Sequence, residues 1–251
     1  MPEKNPSSAY KLVKALVRLF YGKMEVVGAE NLPDGPFAAV GNHAQLHGPI
    51  ACELFFPRPR KTWCIGQMMH LREVPGYAFQ DFWSKKPRWQ HGFWHLVSYA
   101  IAPLSVLVFN NAETIPVYHD GRLMSTFRQT LQVFRQGDGV VIFPERDAPH
   151  NNIVYDFQDR FVDVGRMYYN QSKQALPFVP IYVAPALRKL VIGRPVWYDP
   201  AADSADERRR VTDALMDAVT EMGRALPRHR VVPYPNLPKR EYPWSDSAER
   251  P

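Results

Sequence analysis

Three stretches of this 251-residue chain carry side chains able to do chemistry. Asn42-His43 comes first, with His47 four residues on; Arg122 follows; Glu145-Arg146-Asp147 closes the set. An imidazole titrates near neutral pH and can take a proton from an alcohol. The plainer alternative is a helix-capping asparagine beside a structural histidine. On a helix, the i, i+4 spacing of His43 and His47 would set two imidazoles on one side for a metal. No glutamate follows His43 as a zinc peptidase of that kind needs, and no third ligand falls at a matching spacing, so no metal is expected. For Glu145 and Arg146 the plainer alternative is an ion pair closing a loop.

These residues need a frame. Phe37-Ala38-Ala39-Val40 is a compact apolar run that predicts a short buried strand. Gly41 frees the backbone after it, and Asn42 is a good N-cap for the next helix, which continues from Ile50 to Phe56 and is ended by Pro57. Val140-Val141-Ile142-Phe143 is fully apolar, as expected in a buried parallel sheet, and Pro144-Glu145-Arg146-Asp147 stands at its C-terminal end, where open α/β sheets place ligands. Further strands are predicted at 24–28, 62–66, 114–118, 178–183 and 189–194. Helical periodicity marks 8–21, 122–136 and 206–226, and a helix is expected over 157–170.

In the first helix Leu12, Leu16 and Leu19 or Phe20 share one face, while Lys11, Lys14 and Arg18 lie toward the other, a pattern that suits a membrane interface or a domain surface equally. Residues 68–92 mix Met, Trp and Phe with Lys and Arg, which suits a lipid headgroup zone or equally a loop whose aromatics pack on the core. Residues 93–109 form the most apolar run. They are short for a span and broken by Pro103, so a buried or interfacially dipping helix is expected.

The net charge of +6 fits a phosphate-bearing partner. No nucleic-acid motif accompanies it. The two cysteines, Cys52 and Cys64, have no metal-ligand or disulfide spacing, which points to a reducing compartment. The charged breaks at Lys11, Lys14 and Arg18 argue against a signal peptide.

Four pieces occur in a fixed order: Asn42-His43, Thr114-Ile115-Pro116-Val117, Phe143-Pro144-Glu145 and Phe178-Val179-Pro180-Ile181. Over roughly residues 36–200 the chain resembles the glycerol-phosphate and lysophosphatidate acyltransferase family. The resemblance implies transfer of a fatty acyl group from a thioester (acyl-CoA or acyl-carrier protein) to a hydroxyl of a lysophospholipid or glycerol phosphate, without a resident cofactor. It makes His43 the general base and gives Glu145, with Asn42, to the acceptor; Glu145-Arg146-Asp147 replaces the start of the family's Glu-Gly-Thr-Arg run, and Arg146 and Arg122 are the arginines expected at the acceptor's phosphate, since a guanidinium binds phosphate bidentately. It makes Pro180 architectural. The family's motif aspartate, five residues after the histidine, is here Gly48, which leaves His47, Glu53, Asp147 or a backbone carbonyl to orient His43. The family's phosphate arginine would fall near His119, three residues before Arg122.

The expectation is therefore an α/β protein, one domain with a central, mostly parallel sheet flanked by helices. An amphipathic helix and lead-in strand occupy 1–30, the acyltransferase-like part 31–226, and a proline-rich tail 227–251 that wraps the surface or frays. It would sit peripherally on the cytoplasmic face of a membrane, in phospholipid biosynthesis. A catalytically silent lipid-binding relative is the alternative, and a metal-dependent hydrolase a more distant one.

Overall fold

A computed structural model describes residues 6–118 and 122–247. In chain order its elements are α1 (Ser8–Tyr21), β1 (Glu25–Val27), β2 (Phe37–Gly41), α2 (His47–Phe55), β3 (Arg60–Ile65), α3 (Val74–Ala78), α4 (His91–Asn111), β4 (Thr114–Val117) and α5 (Leu123–Arg135). After them come β5 (Gly139–Ile142), β6 (Glu145–Pro149), β7 (Tyr155–Phe157), α6 (Asp163–Ser172), β8 (Pro177–Ala184), β9 (Lys189–Ile192), β10 (Val196–Trp197) and α7 (Ser204–Ala225). The protein is α/β, with a mostly parallel sheet flanked by helices, as the apolar strand runs lead one to expect. Two compact units are formed, one from Met1–Gly22 and Thr62–Thr126, the other from Lys23–Lys61 and Phe127–Pro251.

In the second unit the strands run in the order β1-β9-β8-β2-β5. β2 is parallel to both β5 and β8, and β9 and β10 are antiparallel to β8. Every residue of β2, β5 and β8 is buried, because strands with both faces covered need continuous apolar runs rather than alternation. α7 turns Val211, Leu215 and Val219 inward at helical spacing, as its periodicity predicts. Gly41 pairs with Ile181 so closely that a Cβ would lie 2.0 Å from the Ile181 carbonyl oxygen, so only glycine fits where β2 ends. Residues 155–157, bordering the helix expected over 157–170, instead form β7, antiparallel to β6. Tyr155 and Phe157 point inward with Asp156 between them, a period of two, and the helix starts at Asp163.

In the first unit β3 and β4 pair in parallel. Met68, Val74, Ala78 and Ala102 form a small core that Trp83, Ile101 and Phe109 extend. α1 begins at a Ser7 cap whose hydroxyl accepts from the Tyr10 N–H. Its apolar face is uncovered: Leu19 is 73% and Phe20 85% exposed. α4 is one 21-residue helix whose pattern is inverted, with Ser98, Ala102 and Ser105 turned inward while Phe93, Leu96, Tyr99 and Leu104 stand exposed. The serines are satisfied locally, Ser98 by the Trp94 carbonyl and Ser105 by that of Met68. Burial of this helix, one of the two expectations, is thus not realised; with its flank it is an Arg88–Asn111 helix long and apolar enough to cross a membrane.

Candidate active site

His43 leaves the C-terminal end of β2 on a loop held by its neighbours' backbones. Asn42 precedes it, almost fully buried. The Asn42 Nδ2 donates to the Val183 carbonyl at 3.0 Å, and the Val183 N–H donates to Oδ1 at 2.8 Å. This side chain acts as one more rung between the ends of β2 and β8. It therefore does not cap α2, as the sequence led one to expect, nor are its polar atoms turned to an acceptor. α2 starts only at His47, behind Leu46, which supplies no side-chain cap.

The delay has a conformational cause. Ala44 and Gln45 both adopt the left-handed region, at φ 47° and 56°. Such conformations cost non-glycine residues about 1–3 kcal/mol each and persist where surrounding contacts enforce them. Because His43 precedes this turn, it shares no helical face with His47, and the two-imidazole metal geometry is not formed. Among the described residues no group of three or more His, Cys, Asp or Glu side chains could hold a metal ion.

Glu145 opens β6 and is 3% exposed. Its Oε2 accepts the backbone N–H of His43 at 2.5 Å, and its Oε1 accepts that of Tyr155 at 3.1 Å. Burial pushes its pKa up to about 7, against the pull of these two N–H groups, which favour the carboxylate. The carboxyl thus fixes the backbone of the histidine loop.

The His43 ring sits between two aromatic edges, Phe143 at 5.3 Å between ring centroids and Tyr234 at 5.8 Å. Burial lowers its pKa to about 4, while the backbone of Gln45 favours the protonated form and pulls the other way. The imidazole is neutral at physiological pH. No carboxylate among the described residues hydrogen-bonds the ring. His47 is partly exposed, with its pKa lowered by burial and by the charge of Lys239; Asp147 is exposed on β6. Neither is a hydrogen-bond partner of the His43 ring; Glu53, the other carboxylate the sequence offered, pairs with Arg60 at 2.9 Å, and the Gln45 backbone is the group that favours the protonated ring.

The motif aspartate is excluded here by space. The Gly48 N–H donates to the His43 carbonyl at 2.9 Å. A Cβ at Gly48 would lie 2.6 Å from that same oxygen, 2.8 Å from the Asn42 carbonyl oxygen and 2.9 Å from the Phe143 ring. The loop has closed over the place a carboxylate would need.

Each arginine has local partners of its own. Arg146 pairs through Nε with Asp156 at 3.1 Å and donates to the Phe157 carbonyl at 3.0 Å, facing a cleft that Arg208 and Arg209 also line. Strand alternation sends it away from the side that Glu145 takes. Arg122, in the first unit, stacks its guanidinium 3.7 Å from the centre of the Tyr118 ring; the Tyr118 hydroxyl is 3.1 Å from His70 Nε2. His119 lies outside the described residues.

Sequence reasoning missed Gln45 and Tyr234. The Gln45 side chain donates through Nε2 to the Pro235 carbonyl at 3.3 Å, and its Oε1 accepts the Tyr242 hydroxyl at 3.3 Å. The tail that carries these partners is itself anchored. The His229 Nδ1 meets the Pro227 carbonyl at 2.8 Å, and a carbonyl only accepts, so Nδ1 carries a proton; Nε2 shares a hydrogen bond with the Tyr182 hydroxyl, also at 2.8 Å. Asn152 Nδ2 donates to the Trp244 and Ser245 carbonyls, and Trp244 lies between the guanidiniums of Arg228 and Arg230. No local signal in a proline-rich stretch could have revealed this docking.

Two outcomes follow from the packing. Gly48→Asp, which puts a carboxylate five residues after His43, is expected to destabilise the protein by about 1–3 kcal/mol through overpacking, without a rise in activity; urea denaturation and turnover measure both. Glu145→Gln tests the buried acid. Its folded pKa, about 7, lies above the ordinary carboxyl value of 4.5, so its contribution to stability is full below about pH 4.5 and is lost as pH rises through 7. Glutamine lacks that dependence, so the variant should compare least well with wild type at acid pH and recover ground above pH 7, as denaturation at the two pH values would record.

The chain was compared with known proteins. No family model matches it, and no curated protein does. Among solved structures, the 1-acyl-sn-glycerophosphate (LPA) acyltransferase PlsC from Thermotoga maritima is similar at 16% identity, over 85% of this chain and 79% of that one, with a TM-score of 0.48.

Proposed function

We propose that this protein is a glycerolipid acyltransferase, moving a fatty acyl group from an acyl-CoA or acyl-carrier-protein thioester to a hydroxyl of a lysophospholipid or glycerol phosphate. The observation that carries the reading is the meeting of Asn42-His43 with Phe143-Pro144-Glu145. Two stretches a hundred residues apart, each at the end of a buried parallel strand, join through the Glu145 carboxylate and the Phe143–His43 ring contact.

In this mechanism neutral His43 takes the acceptor hydroxyl's proton as its oxygen attacks the thioester carbonyl. The carbon–oxygen bond forms, the carbon–sulfur bond breaks, and the imidazolium returns its proton to the departing thiolate. A general base of this kind contributes roughly 10²–10⁴ in rate. Glu145 and Asn42 serve by holding the loop, since their polar atoms are engaged with backbone. Arg122 is the proposed partner of the acceptor phosphate. Arg146 is a second candidate, because its exposed pair with Asp156 is of the weak kind that a phosphate could displace.

The exposed apolar faces of α1 and α4 support a peripheral seat on a membrane. Lys11, Lys14 and Arg18 add charge for anionic headgroups, and Lys86 lies over the Trp94 ring, a cation beside an aromatic as at lipid interfaces. Both cysteines are free thiols, which agrees with the cytoplasmic side. The rival reading, a lipid binder without turnover, draws on the missing carboxylate partner of His43.

Incubating the protein with acyl-CoA or acyl-carrier protein and a panel of lysophospholipids and polar alcohols, with products read by mass spectrometry, decides between them. Acylated product lost in His43→Ala is expected; a folded, lipid-binding protein that makes no product across the panel supports the silent binder. With a base of pKa about 4, the acid limb of kcat/KM should fall well below pH 6.5 rather than at it, because protonation of His43 abolishes the base form only there. Leu19→Glu with Phe20→Glu should weaken co-sedimentation with anionic vesicles while leaving thermal stability near that of wild type, since both side chains are already exposed.

A further inference from the structure

We infer that the C-terminal strap, residues 227–247, takes the place of the motif aspartate: it orients His43 by clamping Gln45, which makes Gln45 a positioning residue held by Pro235 and Tyr242, with Tyr234 of the strap against the ring itself. The inference takes His43 as the base of the proposed reaction.

The geometry carries it in three steps. Ala44 and Gln45 are both left-handed without being glycine, and something outside the turn must hold them so. The Gln45 amide is held at both ends by the strap, its nitrogen on the Pro235 carbonyl and its oxygen on the Tyr242 hydroxyl. Tyr234 of the same strap stands edge-on to the His43 ring at 5.8 Å and 89° between planes, so the strap holds Gln45, two residues on, and the ring itself; the Gln45 backbone favours the protonated imidazole.

The strap is rigid enough for this work. The Val231 N–H donates to the Pro243 carbonyl and the Ser245 N–H to that of His229, so its two arms pair with each other. Arg230 also donates to the Tyr242 carbonyl, which sets the tyrosine that reaches Gln45. With Gly48 packed against backbone, no side chain at that position could do the same task.

The test reads the ring itself. Nitrogen-resolved NMR of the His43 imidazole, over about pH 3 to 8, follows its tautomer and titration in wild type, Gln45→Ala, Gln45→Gly and Tyr242→Phe. Wild type should hold one tautomer. Gln45→Ala should average between the two, and in turnover kcat should fall by up to about 10²-fold with KM nearly kept. Gln45→Gly adopts the left-handed turn freely but has no clamp, so it should lose the tautomer as well, which separates the clamp from the backbone conformation. Tyr242→Phe removes one bond at the periphery and should move the ring signals in the same sense by less. A folded Gln45→Ala whose His43 signals match wild type overturns the inference; should that variant not fold, unchanged ring signals in Tyr242→Phe do so. Product that persists in His43→Ala would overturn the reaction instead, and the ring signals would still decide the clamp.

Discussion

A single buried carboxyl group ties the site together. Glu145 has one oxygen on the His43 N–H and the other on the Tyr155 N–H, so it joins the end of β2 to β7 from its own place at the start of β6. Burying a carboxyl is costly, and the cost is tolerated when both oxygens find donors; deleting it would strand two buried N–H groups at once. Asn42 does the same on the other side, bonding both polar groups of Val183. Where the parallel ladder of β5, β2 and β8 runs out, side chains thus continue it, and the histidine leaves from the middle strand of the three.

Electrostatics at this centre follow from the same packing. A histidine beside a carboxylate gains proton affinity; one enclosed by aromatic edges loses it. With Phe143 and Tyr234 against the ring, His43 is held neutral by exclusion of water rather than prepared as half of an ion pair. Gly48 belongs to this arrangement, since the helix start packs directly on the carbonyls of residues 42 and 43.

Much of this was legible in the sequence where one period governs a whole element. The apolar runs at 37–40, 140–142 and 178–183 are buried strands, and the spacing of Leu123, Phe127, Leu131 and Phe134 is a helix with Phe127, Leu131 and Phe134 buried. Asn42 misled because its capping chemistry is real but was claimed by Val183, a partner 141 residues away. α4 misled differently. An apolar run says how greasy a helix is, not which face turns inward, and here the serines do. The partners of Gln45 were hidden because prolines and charges in the tail give no period to read.

The separation of those partners along the chain bears on the order of assembly. Gln45 reaches Pro235 and Tyr242 across 190 and 197 residues, among the longest-range side-chain bonds in the protein. Contacts between such distant positions close late, because the loop entropy between them must be overcome first. A chain still emerging from the ribosome can hold β2, β5 and β8 in register with His43 at their mouth, yet lack the strap that residues 227–247 supply. Synthesis itself then orders the site: the histidine is present early, and its surroundings are completed only once residues 227–247 have followed.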